Sequence, residues 1–277
     1  MSWRGRLELR YRRDGEGRCV GHDRHDGPLR VLQALYPEGP GVCHHVLVHP
    51  PGGIVGGDEL DIDVQLGADT QALITTPGAT RFYRSAGAVG AQRARLQVGD
   101  GARLEWLPLE AIAYRGCRAH NQVRFELDRG ASMIGWDLLA LGLPAAGEAF
   151  DDGCFEQHLE QPGRWLERGR LDARDPRLFA SPLGLAGHGV LGTLWFASAE
   201  PIAPALRESL LEAAREGDVG AAFDGPSGAT SPSPQLVLLR VLAHRVEPAF
   251  TWFSTVRARW RQIAWQMAPV PPRVWRT

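Results

Sequence analysis

The sequence predicts a mainly β protein, an irregular β-helix-like solenoid with α-helices added toward its C-terminal end. Three observations carry this prediction. Apolar and polar residues alternate over short segments, a strand-turn-strand unit recurs at a regular interval, and helical periodicity is confined to the last third of the chain. A chain of 277 residues with 44% hydrophobic residues is long enough to bury a substantial core.

The alternation is clearest in residues 59–66, ELDIDVQL, where every second residue is apolar. This is the pattern of a strand with one face in the core. Three longer strings each run such a strand through a turn into a second strand: residues 61–75, 94–107 and 123–136. The Gly-Ala steps in their turns fall at Gly67, Gly101 and Gly130, 34 and 29 residues apart. The repetition favours stacked coils, each covering the apolar face of the next, over a β-sandwich of similar short strands.

The pattern becomes helical after residue 199. Residues 204–218 place leucines at helical spacing, with Pro204 near the start and Gly217 at the end, which predicts a helix. Residues 224–235 are rich in Gly, Ser and Pro and predict a loop, and residues 236–244 predict a buried strand.

A second and longer helix is predicted over residues 247–267. Its apolar stripe is Phe253, Val256, Trp260, Ile263 and Met267, and Arg257, Arg259 and Arg261 are expected to lie off that stripe. We expect a β-helix-like scaffold over residues 1–198 and a helix-strand-helix region over residues 199–277, packed on it as one structural unit.

The charge balance excludes several functions. A formal net charge of -1 provides no basic field for a nucleic acid. All 31 basic residues are arginine, so the chain lacks the phosphate-binding lysine of a Walker A loop and any Schiff-base lysine. NTP hydrolysis by this chain is therefore not expected, and a partner would have to supply nucleotide energy.

Cysteine usage and hydropathy favour a cytoplasmic location. The four cysteines, Cys19, Cys43, Cys117 and Cys154, are widely spaced, and no C-x-x-C pair occurs. The N-terminal residues lack the apolar segment of a secretory signal, and every apolar run is interrupted too early to cross a bilayer. We expect reduced thiols and no membrane association.

The segment VCHHVLVHP, residues 42–50, concentrates possible metal ligands. If it is extended, Cys43, His45 and His49 lie on one face at period two, a possible site for nickel or zinc. The spacing matches no closed zinc motif, and ordinary strand histidines beside a buried thiol are the alternative.

The loop HPPGGIVGGD, residues 49–58, concentrates special backbone residues. Its two prolines fix φ and remove donors, and its four glycines allow close approach by another chain. A structural turn or docking surface, with Asp58 at its end, is favoured over a phosphate cradle because no lysine follows.

Several strings, in this order, resemble the urease accessory protein family UreD, also called UreH: HPPGGIVGGDELD, TTPGATRFYRS, LEWLP, GWDLLALG, WLER and PPRVWRT. The resemblance covers nearly the whole chain. It implies a β-helix-like scaffold without catalytic activity that binds apo-urease and, with a UreF-like accessory protein and a UreG-like GTPase, delivers nickel to the urease active site. Two departures are Leu143, where the family usually has arginine, and Arg81, where lysine is common.

The resemblance also implies a water-filled channel that carries nickel through the scaffold. Its motifs place Asp58, Thr80, Asp137 and Glu167 on positions associated with that channel. Glu105 also lies in a string that matches the family. For any single acid, a solvated face or a satisfied cap is the alternative, and for Glu105, between two apolar neighbours, the alternative is an outward strand residue.

Two other functions stay open at this point. One is a metal-dependent enzyme on a β-helix scaffold, with Cys43, His45 and His49 as ligands; the other is a structural adaptor that never contacts metal. The aromatic C-terminal stripe, with its four tryptophans, is expected to contact the UreF-like partner in part. These tryptophans are Trp252, Trp260, Trp265 and Trp275.

Overall fold

The computed structural model describes residues 2–143, 146–216, 223 and 225–276. The first strands are β1 (Arg4–Arg13), β2 (Cys19–Asp26), β3 (Arg30–Val31), β4 (Val42–Val48), β5 (Glu59–Leu66), β6 (Gln71–Thr75), β7 (Thr80–Phe82), β8 (Gly90–Val98), β9 (Arg103–Leu107) and β10 (Ala111–Ala113). They are followed by β11 (Arg118–Leu127), β12 (Ser132–Leu141), β13 (Cys154–Gln161), β14 (Trp165–Asp172), β15 (Val190–Ser198), β16 (Ser227–Ser233) and β17 (Leu236–Ala243). The helices are α1 (Pro176–Ala180), α2 (Pro204–Arg215), α3 (Val246–Trp265) and a short 3-10 helix (Arg273–Arg276).

Two sheets form the body of the protein. One has the order β14-β13-β11-β8-β5-β1-β2, and the other runs β16-β17-β15-β12-β9-β6-β4-β3, with β10 and β7 attached beside β12. The chain passes repeatedly from one sheet to the other, from β5 to β6, from β8 to β9 and from β11 to β12, and the equivalent strands of successive coils pair in parallel. The predicted solenoid with added helices is confirmed.

The strand register gives the length of the repeat more accurately than the spacing of the Gly-Ala steps. Strands β5 and β8 pair at an offset of 32 residues, and β8 and β11 at an offset of 29. The turn positions with left-handed backbone are Asp69, Gly101 and Gly130, with φ of 55°, 65° and 72°. The equivalent of Gly101 in the first coil is therefore Asp69 and not Gly67. Asp is one of the few residues with a side chain that adopts this conformation readily.

Each face of the ten-stranded sheet has its own core. Alternate residues of the two sheets pack against each other inside the solenoid, for example Ile62, Leu96 and Leu104. The outer face of the ten-stranded sheet is covered by α2 and α3, where Ile134 and Leu194 contact the helices' apolar side chains. The helices are needed because this face of the sheet is apolar and a solenoid coil cannot cover it.

The segment predicted as a loop over residues 224–235 is instead largely strand β16, which pairs with β17. It lies at the edge of the ten-stranded sheet, and its register with β17 shifts between Thr230 and Ser233. Pro232 lies within this irregular segment, so its missing backbone N–H does not interrupt the hydrogen bonds between the two strands. The strand predicted over 236–244 is confirmed as β17. The predicted helix over 204–218 is observed as α2, but its expected end at Gly217 lies outside the described residues.

The last predicted helix is confirmed as α3, but its arginines are not where the pattern placed them. Arg257 and Arg261 are 1% and 0% exposed. The prediction that they lie off the buried stripe is wrong, because α3 is enclosed on more than one face and a one-stripe pattern assumes a helix with a solvated side.

The aromatic stripe of α3 is covered by the chain itself. Trp252, Trp260 and Trp265 are at most 6% exposed and pack in the core between α2, α3 and the sheet. Trp275, from the 3-10 helix, donates from Nε1 to Thr75 Oγ1 at 2.9 Å. The area of Trp252, Trp260 and Trp265 is therefore already buried within the chain, whereas Trp275 is only partly buried, and its contact with a partner stays a prediction.

Two further expectations can be compared with the fold. All four cysteines are free thiols. In the described ranges, no helix is long and apolar enough to cross a membrane. The division at residues 198 and 199 stays a prediction, and β16 and β17 from the second part extend the ten-stranded sheet.

Candidate functional site

Asp58, at the end of the glycine-rich loop, braces that loop through hydrogen bonds to backbone N–H groups. Asp58 is 2% exposed, and its carboxylate accepts from the backbone N–H of Trp3 at 2.7 Å and of Val55 at 3.0 Å. The glycines allow close packing, since a Cβ at Gly53 would lie 2.0 Å from the ring of Tyr83. Asp58 thus satisfies donors at the end of the loop, which is the capping role weighed against the channel role.

A cavity of about 270 Å³ lies beside this loop and is lined by His49, Thr80 and Gln92 among others. The Nε2 atom of His49 is buried and has no hydrogen-bond partner among the described residues. Burial lowers the pKa of His49, and the Asp58 carboxylate partly opposes this. A buried imidazole nitrogen without a partner is an unsatisfied polar atom beside this cavity.

Three side-chain amides continue from this cavity into the interior. Gln92 of β8, Asn121 of β11 and Gln157 of β13 lie at the same register position on neighbouring strands. Gln92 donates from Nε2 to Asn121 Oδ1 at 3.4 Å. The solenoid repeat therefore stacks polar side chains where most interior positions are apolar.

Two of these amides, Asn121 and Gln157, converge on Asp137, which extends from β12 and is 6% exposed. Asn121 donates from Nδ2 to its Oδ2 at 3.0 Å, and Gln157 donates from Nε2 to its Oδ1. No ion pair to Asp137 occurs within the described part of the chain. Burial, followed by the nearby Glu167 carboxylate, raises the pKa of Asp137 from its usual value of 3.8 to about 7.

Glu167 of β14 follows next and lines a second cavity of about 330 Å³. Thr193 donates from Oγ1 to Glu167 Oε1 at 3.0 Å, and Arg240 donates from Nε to Oε2 at 2.9 Å. Thr193 lies directly beside Asp137 across β12 and β15. We call the connected interior side chains the polar row: Gln92, Asn121, Gln157, Asp137, Thr193 and Glu167.

Of the four residues that the family motifs placed along a channel, the polar row contains two. Asp137 and Glu167 belong to it, Thr80 lies on the first cavity, and Asp58 approaches only through His49. The amides and Arg240 were missed. Gln92 and Asn121 are 29 residues apart, which equals the offset between their coils, so the alignment of these two amides could have been predicted from the repeat.

The cysteine and histidines of β4 are not assembled as a metal site. The pKa of the buried Cys43 thiol is raised to about 11, mainly by burial, so it is a poor ligand at neutral pH. His45 Nδ1 lies 2.7 Å from the Tyr11 hydroxyl, and burial lowers the pKa of His45 to about 4. Within the ranges the structure describes, no three His, Cys, Asp or Glu side chains form a group that could hold a metal ion.

Glu105 belongs to a separate cluster. It is 1% exposed and pairs with Arg257 at 2.5 Å and with Arg261, whose guanidinium also pairs with Glu38. Glu38 in turn lies 2.7 Å from His44 Nε2. The interpretation of Glu105 as an outward strand residue is wrong, because α3 supplies the cations that make its burial possible.

Comparison with known proteins agrees with the motifs. The sequence model of a family described as "UreD urease accessory protein" matches residues 4–276. The chain is 58% identical to a "Urease accessory protein UreD" from Leptothrix cholodnii over the full length of both proteins. Proteins of the same name from Methylibium petroleiphilum and Variovorax paradoxus are 56% and 54% identical, again over the full length of both chains. On the strength of these matches, the chain belongs to the UreD family of urease accessory proteins.

Proposed function

We propose that this protein is a non-catalytic urease maturation factor that passes nickel through its interior to apo-urease. It acts with a UreF-like accessory protein and with a UreG-like GTPase, in which GTP is hydrolysed. Family membership supports the role in urease maturation. The absence of lysine supports the assignment of nucleotide chemistry to a partner.

The observation that carries the proposal is the polar row between two cavities. Its members are three amides, the Thr193 hydroxyl, and the carboxylates of Asp137 and Glu167, with Asn121 and Gln157 donating amide N–H groups to Asp137. His49 lines the first cavity, and its buried Nε2 has no hydrogen-bond partner among the described residues. This donor set of oxygen and imidazole ligands suits a borderline cation such as nickel.

The arrangement favours passage over storage. No group of three strong ligands occurs in the described part of the chain, so each station is weak and an ion can move on. A cation inside a protein is strongly disfavoured unless charge or dipoles compensate it. Asp137 supplies this compensation, because its carboxylate is buried without a cationic partner among the described residues.

The raised pKa of Asp137 allows a proton and a divalent cation to exchange at its carboxyl group. With a pKa raised to about 7, the carboxyl group is partly protonated at neutral pH. An arriving divalent ion displaces the proton to solvent where Asp137 is protonated, and a proton can bind again when the ion moves on.

The experiment is co-expression of urease and its accessory proteins with variants of this chain. D137A and E167A should lower urease activity and the nickel content of purified urease, each in part, and the combined variant further. D58A should have a smaller effect, because Asp58 braces the loop and does not join the row. A pull-down of the accessory complex should be unchanged.

Two controls separate the channel from a general loss of structure. Q97L replaces an exposed glutamine of β8 and should leave activation intact, whereas Q157L removes an amide from the row and should reduce it. C43S should also have little effect. Full activation by the combined D137A and E167A variant would remove the channel role and leave a structural adaptor.

A further inference from the structure

Arg240 stands at the end of a cross-strand line that begins inside the protein. Asp137 of β12 lies beside Thr193 of β15, and Thr193 lies beside Arg240 of β17. Glu167 reaches the same place from β14 of the other sheet. A cation that leaves Asp137 toward the second cavity meets Glu167 and Arg240 together.

The contacts of Glu167 leave it little capacity for a cation. Arg240 donates to Oε2 from Nε at 2.9 Å and from a terminal guanidinium nitrogen at 2.5 Å. Thr193 donates to Oε1 at 3.0 Å. Both oxygens are engaged and the carboxylate charge is balanced, while the guanidinium repels an approaching divalent ion.

The Arg240 side chain also has space to turn away from Glu167. Its side chain is 46% exposed, compared with 27% for Glu167. Gly228 faces it from the edge strand β16, and no atom lies within 4 Å of where a Cβ of Gly228 would be. By contrast, Arg257 and Arg261 are at most 2% exposed and are fixed in their cluster. A half-exposed ion pair contributes little to stability, so the Glu167 pair can open without unfolding.

We propose that Arg240 is the gate at the exit of the polar row. While it is paired with Glu167, it blocks divalent cations through charge and by occupying the carboxylate; when it turns toward solvent, Glu167 becomes the last oxygen station before the second cavity. The inference rests on the proposed function, since it assigns a gate to the same route. Arg240 is a positioning residue, because it acts through Glu167.

The test is calorimetric titration of Ni²⁺ into the purified full-length protein in complex with its accessory partner. R240Q should bind Ni²⁺ about tenfold more tightly than the wild type, because a half-exposed charge is screened nearly to its strength in water. R240K keeps the positive charge and should bind like the wild type. The matched control is R95Q, which removes an exposed arginine paired with Asp63.

A double variant tests whether the gate works through Glu167. The gain in affinity of R240Q should disappear in R240Q combined with E167Q, because the freed carboxylate is then absent. A gain that persists in the double variant, or an R240Q affinity within twofold of the wild type, would overturn the proposal. If circular dichroism shows that R240Q does not fold, R240M keeps the aliphatic stem and is judged by the same criterion.

Different results would contradict the gate hypothesis and the channel hypothesis. If D137A and E167A lower the nickel content of urease while R240Q leaves Ni²⁺ affinity unchanged, the gate alone is wrong. If the carboxylate variants leave urease nickel unchanged, the proposed route itself is wrong.

Discussion

Replacing Asp137 with asparagine should stabilise the protein at neutral and alkaline pH. Asp137 is buried, accepts two amide hydrogen bonds and has no cationic partner among the described residues. Its pKa is raised from 3.8 to about 7, first by burial and then by Glu167. The folded state therefore holds the proton more tightly than the unfolded state, and ionisation opposes folding.

The size and the pH window follow from this pKa. One pKa unit corresponds to about 1.4 kcal/mol, so the ionised Asp137 lowers the free energy of unfolding by about 4 kcal/mol above pH 7. Stability from this group is fully present below pH 4 and is lost as the pH rises from 4 to 7, because the folded chain binds more protons in that window. The asparagine side chain does not ionise, so D137N should escape the loss.

The assay is urea denaturation of the wild type and D137N at pH 5 and at pH 8. The stability difference should be about 2 kcal/mol at pH 5 and approach about 4 kcal/mol at pH 8, where it corresponds to a rise in Tm of about 8 °C for a chain of this size. D100N, at an exposed turn aspartate, is the matched control and should show no pH-dependent difference. A difference that is equal at both pH values, or a less stable D137N at pH 8, would refute the reasoning.

Three further predictions concern the scaffold. E105A should lower the free energy of unfolding by about 3–5 kcal/mol in urea denaturation, because it leaves the buried Arg257 without its carboxylate and Arg261 with Glu38 alone. E126A, at an exposed strand position, should change it by less than about 0.5 kcal/mol. Burial lowers the pKa of His45 to about 4, so its neutral form stabilises the folded state, and this contribution should fall by up to about 3 kcal/mol as the pH falls from 6.5 to 4. The difference in the free energy of unfolding between the wild type and H45N should shift by that amount over this range, and a difference that does not change with pH would contradict the assignment. G101A should be less stable by about 1–2 kcal/mol, because its φ is 65° and a Cβ would lie 2.5 Å from Asp69 Oδ1; an equal Tm would show that the turn relaxes.

Local pattern was sufficient for the strands and for the existence of both long helices. Strand β5 follows the alternation of residues 59–66, and α3 begins within one residue of the predicted start at 247. Period-two and helical patterns are set by contact with one core face, and each pattern is visible within a few neighbouring residues. The same logic failed at β16, where pairing with an apolar neighbour overrides a composition rich in Gly, Ser and Pro.

The candidate site was predictable only in part, because its geometry depends on register. Family motifs selected Asp137 and Glu167, but nothing local indicates that Asn121 and Gln157 point at Asp137. The amides meet the acid because the solenoid offset aligns β11 with β13 and because β12 faces them from the other sheet. Gly67 shows the same limit, since the true turn equivalent, Asp69, emerges only from strand pairing.

Glu105 and Asp137 show why burial alone does not mark a functional acid. Each lies in an apolar strand of the ten-stranded sheet and is nearly inaccessible to water. The partners of Glu105 are two arginines 152 and 156 residues farther along the chain, and they neutralise it completely. Asp137 receives only neutral amides, so its charge remains uncompensated and its pKa is raised. An acid kept buried without a counterion opposes folding, and a chain that retains it gains something other than stability. We propose that in this protein a transient divalent cation is the counterion that Asp137 lacks.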